Sequence, residues 1–124
     1  MTTMISDSTI QAIRDFTEER GWAQFHSPAN LAKSISIEAA ELLECYQWVP
    51  EAPAAETGRA QEELADVLTY CIMMADALEV DLDDIIMHKL AKTKRKYPVT
   101  AVRDNFEEYE ARHLEARKLH GNAK

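Results

Sequence analysis

Two short acidic motifs stand out for the chemistry they could support: Glu38-Ala39-Ala40-Glu41 and Glu63-Leu64-Ala65-Asp66. Each sets two carboxylates three residues apart, as neighbours on the surface of one helix. A step of about 100° per residue places Glu38 among Leu31, Leu42 and Cys45, and Glu63 among Val67, Tyr70 and Met74. Glu41 and Asp66 each lie about 60° to one side, at the border of the apolar arc. Four carboxylates gathered in a low-dielectric interior repel one another or take up protons unless cations neutralise them. All-oxygen ligation selects a hard ion, Mg2+ first and Mn2+ as a substitute. Neither pair has the Glu-x-x-His spacing of ferritin-like sites, which disfavours iron. Glu44 and Glu62 point away from both arcs and are read as solvated or supporting rather than as ligands.

A complementary charge follows on the next helical segment. Lys89 projects between the directions of Ile85/Ile86 and Leu90, with Lys96 beside it and Lys92 at the edge. A lysine in an apolar arc either lays its stem over the core or offers its ammonium to an anion. Acids that hold Mg2+ near such a stripe point to a phosphate-bearing ligand, because Mg2+ commonly binds through a few carboxylates plus substrate phosphates. Trp22, Phe25 and His26 flank one turn, Trp48 closes a helix, and Tyr70 lies one turn beyond Asp66. Aromatics of this kind are either core residues or a stacking surface for a base. His26 either meets a ligand or caps the Ser27-Pro28 turn, while His88, His113 and His120 read as surface residues.

The elements that must position these groups are helical. The chain has 124 residues, 46% of them hydrophobic, with only three Gly and four Pro, which suits one packed domain. Ser8 with Gln11 predicts a cap for a first helix over 8–20, stopped by Gly21. Ser27-Pro28 predicts the start of a second, running to about Trp48. Pro50 and Pro53 mark a loop, after which Thr57 predicts the cap of a third helix ending near Glu79. Asp81 and Asp84 open a fourth, which ends at Lys96 because Pro98 disfavours helical backbone at Tyr97. Nothing reads as a strand. The expected fold is therefore all-α, an antiparallel bundle of four main helices with a possible extra helix in 104–119.

Net charge of −8 and a pI near 4.9 argue against a binder of nucleic-acid polymers. Six of the fourteen basic residues nevertheless fall between Lys89 and Arg103, enough to meet a small polyanion. Cys45 and Cys71 sit on apolar faces and read as buried free thiols. The sequence contains no membrane-span pattern or signal-peptide pattern, so the expected location is cytoplasmic.

From Trp22 to Val99 the sequence resembles the MazG-like all-α nucleoside triphosphate pyrophosphohydrolases, in particular their dCTP pyrophosphatase branch. The resemblance rests on ordered segments: Trp22-Ala-Gln-Phe25-His26-Ser-Pro28-Ala-Asn30-Leu31, Glu38-Ala-Ala-Glu41-Leu42, Gln47-Trp48, Glu62-Glu63-Leu64-Ala65-Asp66-Val67-Leu68 and Lys94-Arg95-Lys96-Tyr97-Pro98-Val99. It implies Mg2+-dependent hydrolysis of a deoxynucleoside triphosphate to the monophosphate and pyrophosphate, with the metal held by Glu38, Glu41, Glu63 and Asp66. It also implies a base pocket involving Trp22, His26, Trp48 and Tyr70, with Lys89 and Tyr97 near the phosphates or the pocket wall; Lys92 and Lys96, beside Lys89 on the helix, are further candidates to offset the charge of a leaving pyrophosphate. Homodimers or homotetramers are the implied assembly.

Two positions depart from the pattern: Ile37 stands where many relatives carry a further acid, and Thr93 where many carry Asn. Thr93 is shorter and carries a hydroxyl rather than an amide, a difference expected to alter the sugar or phosphate contact made at that substrate-binding position and with it substrate preference. The expected organisation is a MazG-like catalytic domain over 1–103 and, outside the resemblance, a helical or partly disordered extension over 104–124. Two other readings remain compatible with the residues: a nucleotide- or metal-binding sensor without turnover, and a helical interaction protein whose acids form interchain ion pairs.

Overall fold

The computed structural model describes residues 5–48 and 54–122, apart from the side chains of 54–57 and 120–122. The expected loop around Pro50 and Pro53 and the side chains of Thr57 and His120 lie outside what is described. The described residues are all-α: α1 (Asp7–Glu19), a 3-10 turn (Trp22–Phe25), α2 (Pro28–Glu44), α3 (Ala54–Leu78), α4 (Leu82–Lys96), α5 (Val99–Val102) and α6 (Phe106–Asn122). The chain divides between α3 and α4 into two compact units, residues 1–81 and 82–124.

In the first unit α2 and α3 form an antiparallel hairpin, with Glu44 near the end of α2 paired to Arg59 near the start of α3. Ser27 caps α2 by accepting from the Asn30 N–H, and Pro28 takes the first helical position, where its missing N–H is not needed. The helix stops at Glu44, short of the expected Trp48, because Cys45, Tyr46 and Gln47 switch to i−3 backbone bonds onto Leu42, Leu43 and Glu44. That tightening ends the α-helical ladder. At the start of α1 the cap is Ser6 rather than Ser8: Ser6 Oγ accepts from Thr9 N–H at 3.2 Å. Gly21 takes φ +64°, a left-handed conformation suited to a residue without Cβ, and turns the chain into the 3-10 segment.

α3 starts at Ala54, so Thr57 falls within its first turn rather than at its cap. Its other end closes near Glu79 as expected, with Val80 N–H reaching back to Ala75 C=O at 3.0 Å and Glu79 at φ 55°. This is the wrapped end that satisfies terminal carbonyls, here built without glycine.

The buried core comprises Leu31, Cys45, Ala60, Ile72, Met73 and Ala75. Leu31 is 1% exposed and is the large side chain most completely enclosed. Leu31→Ala should lower the unfolding free energy by roughly 3 kcal/mol, the usual loss for a buried leucine whose surroundings relax only in part. Urea denaturation measures it, and a change below about 1 kcal/mol would mean that the site collapses onto the cavity. Cys45 is buried and Cys71 half-buried, both as free thiols.

In the second unit α4 ends at Lys96, as Pro98 requires. The unforeseen α5 follows Pro98 at once, its first turn closed by Ala101 and Val102 N–H onto Pro98 C=O. Asn105 then opens α6 by accepting from Glu108 N–H at 3.1 Å. The end of α4 is tied to α6 by Arg112, which donates to Lys96 C=O and is paired with Glu108. Tyr97 adds a ring contact to Tyr109 at 5.5 Å and sets its hydroxyl 3.3 Å from His113 Nδ1. No helix among the described residues is long and apolar enough to cross a membrane.

Candidate metal centre and nucleotide site

The α2–α3 hairpin brings together carboxylates separated by a loop in sequence. Glu38, Glu41 and Glu63 each place an oxygen within 4.8 Å of the others, in half-buried surroundings. Glu38 Oε2 and Glu63 Oε2 are fully enclosed and have no hydrogen-bond partner among the described residues. An enclosed carboxylate oxygen with no donor is unfavourable by itself. A shared hydrogen bond to Glu41, then burial, then the charges of Glu41, Asp66 and Glu63, raise the Glu38 carboxyl to a pKa of about 7. Glu63 is raised as well, first by Glu41 and by burial, with Arg59 acting the other way. These orphaned, mutually repelling oxygens fit a hard divalent cation, which would satisfy the lone pairs and remove the repulsion.

Asp66 stands apart from its expected partner in symmetry. It is exposed and outside the three-oxygen cluster, although close enough for its charge to act on Glu38 and Glu63. Glu44 and Glu62 are exposed, as their positions on the wheel predict. Glu44 accepts from Arg59 Nη2 at 3.0 Å, while Arg59 Nε lies 3.8 Å from Glu63 Oε1. Arg59 therefore links the solvated acid to the cluster and holds Glu63, whose side chain is 15% exposed. The i, i+4 spacing of Arg59 and Glu63 was the available sequence signal for this pairing.

The aromatic candidates fall in different places. Trp22 meets Phe16 edge-on at 5.3 Å and His26 at 6.4 Å, forming one cluster at the 3-10 turn. His26 is half-buried, and Asn30 Nδ2 donates to the neighbouring Phe25 C=O, which fixes the turn against the start of α2. Tyr70 is half-buried on α3. Trp48 lies beyond the end of α2 and is 86% exposed, apart from these contacts. A cavity of about 610 Å3 opens between α1, the 3-10 turn and α3, with His26, Gln24, Ile13 and Met73 among its walls.

The remaining candidates belong to the second unit. Lys89 and Lys92 are exposed, and Lys96 Nζ stands 5.0 Å from the centre of the Tyr97 ring. Thr93 donates its hydroxyl to Lys89 C=O on its own helix at 3.1 Å, so that hydrogen is already engaged. The apolar arc of α4 (Ile85, Ile86, Met87 and Leu90) is exposed.

An all-α protein whose helical hairpin gathers carboxylates around enclosed oxygens with no partner among the described residues has a donor set that fits a divalent cation. The chain belongs to the MazG-like family, whose profile matches residues 33–111. It is 38% identical to dCTP pyrophosphatase 1 of Bos taurus over 105 residues, 76% of this chain and 62% of that protein. The Homo sapiens protein of the same name is 35% identical over 114 residues, 83% of this chain and 67% of that one. The chain thus spans about three fifths of the length of the bovine relative. Among solved structures, a pyrophosphatase from Archaeoglobus fulgidus matches with a TM-score of 0.66 and 36% identity, covering 79% of this chain and 98% of that one.

Proposed function

We propose that the protein is a Mg2+-dependent nucleoside triphosphate pyrophosphatase acting on dCTP or related pyrimidine deoxynucleotides, releasing the monophosphate and pyrophosphate. The observation that carries this reading is the pair of enclosed carboxylate oxygens, Glu38 Oε2 and Glu63 Oε2, inside a three-carboxylate cluster. The similarity to proteins named dCTP pyrophosphatase supports the substrate class.

Glu38, Glu41, Glu63 and Asp66 would hold the cation, with Mn2+ as a substitute. Mg2+ held there would supply charge neutralisation and Lewis acidity toward the phosphate oxygens. Arg59 keeps Glu63 oriented, and burial of Glu38 and Glu63 keeps the charged group in a low-dielectric setting where electrostatic stabilisation is strong. Trp22, His26, Trp48 and Tyr70 are assigned to the base. Lys89 and Tyr97 are assigned to the phosphates and the pocket wall from their match to the family pattern, and Thr93 by its place on the same segment although its residue type departs from that pattern; Lys89, Lys92 and Lys96 carry the charge that a leaving pyrophosphate needs.

Exposed Ile37, Leu43, Leu64 and Leu68 on α2 and α3 support assembly as a homodimer or homotetramer. A nucleotide substrate would give the protein a role in controlling the cytoplasmic nucleotide pool.

Incubation with each deoxynucleoside triphosphate and Mg2+, followed by product separation, tests the proposal. Monophosphate and pyrophosphate are expected. Release of orthophosphate and a nucleoside diphosphate would overturn it.

A further inference from the structure

Met73 and Ala77 line the cavity of about 610 Å3 between α1, the 3-10 turn and α3. On α3 they share a face with Glu63, Asp66 and Tyr70, since all five fall within about 80° at 100° per residue. At 1.5 Å per residue, Met73 stands about 15 Å along the axis from Glu63. A nucleotide laid along this face would have its phosphates at the acids and its base at the cavity, with Tyr70 between them.

Part of the cavity wall is apolar, from Ile13, Ala23, Met73 and Ala77, and part of it is an ion pair. Arg14 Nε donates to Asp76 Oδ2 at 3.0 Å and less closely to Oδ1 at 3.3 Å, while Nη2 donates to Oδ1 at 2.9 Å. A guanidinium has five N–H groups and a carboxylate about four acceptor positions, so the pairing leaves both with capacity to spare. Nη2 keeps a second hydrogen and Oδ1 keeps acceptor capacity, so the pair presents a donor and an acceptor side by side. The two side chains are 51% and 41% exposed, so a ligand in the cavity can reach them.

We infer that Arg14 and Asp76 select the base by its hydrogen-bonding edge. They accept one that carries an exocyclic amino group beside an unprotonated ring nitrogen. The amino group donates to Asp76 Oδ1, and the ring nitrogen accepts from Arg14 Nη2. Cytosine has this edge in its N4 amino group and N3. Uracil and thymine reverse it, setting the O4 acceptor against the carboxylate and the N3–H against the guanidinium. A site built to satisfy one pattern rejects the reversed one strongly, because its own polar groups are left unpaired. The inference rests on the nucleotide reading above for the class of ligand.

Calorimetric titration of the metal-free protein with dCMP and dUMP tests this independently of turnover. In the unmutated protein dCMP should bind at least about tenfold more tightly than dUMP. Analogues of dCMP that lack the 4-amino group, or carry C–H in place of N3, should each lose a comparable factor. Asp76→Asn and Arg14→Gln should bring dCMP and dUMP to within about twofold of each other. Equal binding of dCMP and dUMP to the unmutated protein, binding of neither, or an unchanged ratio in both variants would overturn the inference.

The pair also ties α1 to α3. A purely structural role would lower the unfolding temperature of the variants and leave the ratio intact, and the analogue titrations need no variant. Preference for dCMP without hydrolysis of any triphosphate would remove the enzyme assignment and keep this inference. Hydrolysis without base preference would do the reverse.

Discussion

Glu38→Ala or Glu63→Ala lowers metal-dependent triphosphate hydrolysis by roughly a hundred- to a thousandfold, the range typical for removing one preorganised electrostatic group from a site. The metal-free variants unfold at a temperature no lower than the unmutated protein at pH 8. This second half follows from the geometry. Each of these residues buries an oxygen without a partner and stands against like charges, so its removal relieves a penalty that the apo protein carries. Loss of activity therefore cannot be assigned to loss of fold. Glu62→Ala is the control: this acid is exposed, and turnover should stay within about threefold of normal because surface substitutions away from a site are mild. Asp66→Ala should fall between the two groups, since Asp66 acts on the cluster by charge from an exposed position. Steady-state kinetics with saturating Mg2+, alongside thermal melts in chelator, measures both halves. Full activity in Glu38→Ala and Glu63→Ala would remove the cage from the mechanism.

The inward direction of Glu38 and Glu63 was legible in the sequence because helical periodicity fixes it wherever apolar neighbours are dense. The depth of the second acid in each motif was not. Glu41 and Asp66 sit at the same angle to their arcs, yet Glu41 joins the cluster and Asp66 is exposed. At the border of an arc, burial depends on which residue of the facing helix lies opposite, and a wheel for one helix carries no such information. Arg59 was overlooked for a similar reason: its tie to Glu44 crosses the hairpin. The cap of α1 moved by two residues because neighbouring hydroxyls compete there and Ser6 rather than Ser8 found an N–H in line, whereas α2 and α4 start where Ser27-Pro28 and Asp81 predict. The cavity was beyond the sequence altogether, since it forms where α1 and the 3-10 turn meet α3.

The acid cluster also sets a dependence of stability on pH that runs opposite to the usual acid denaturation. The Glu38 carboxyl is pushed up to a pKa of about 7 in the folded protein, above the ordinary 4.5 of a glutamate, and Glu63 is shifted in the same direction. Between those two values the folded state holds more protons than the unfolded chain, so its stability falls as pH rises. The Glu38 contribution is fully present below pH 4.5 and is lost as pH climbs through 7. Metal-free protein should thus lose stability from pH 5 to pH 8, and Glu38→Gln should flatten that slope by removing the titrating group. The comparison with this variant matters because carboxylates elsewhere titrate with the opposite sign. Divalent cations compete with protons for the same oxygens, so Mg2+ should raise the unfolding temperature markedly at pH 8 and little at pH 5. Thermal melts at both pH values, with and without Mg2+, give the four numbers needed. An equal Mg2+ effect at the two pH values, or one that survives in a Glu38→Gln/Glu63→Gln double variant, would place the cation somewhere other than between α2 and α3.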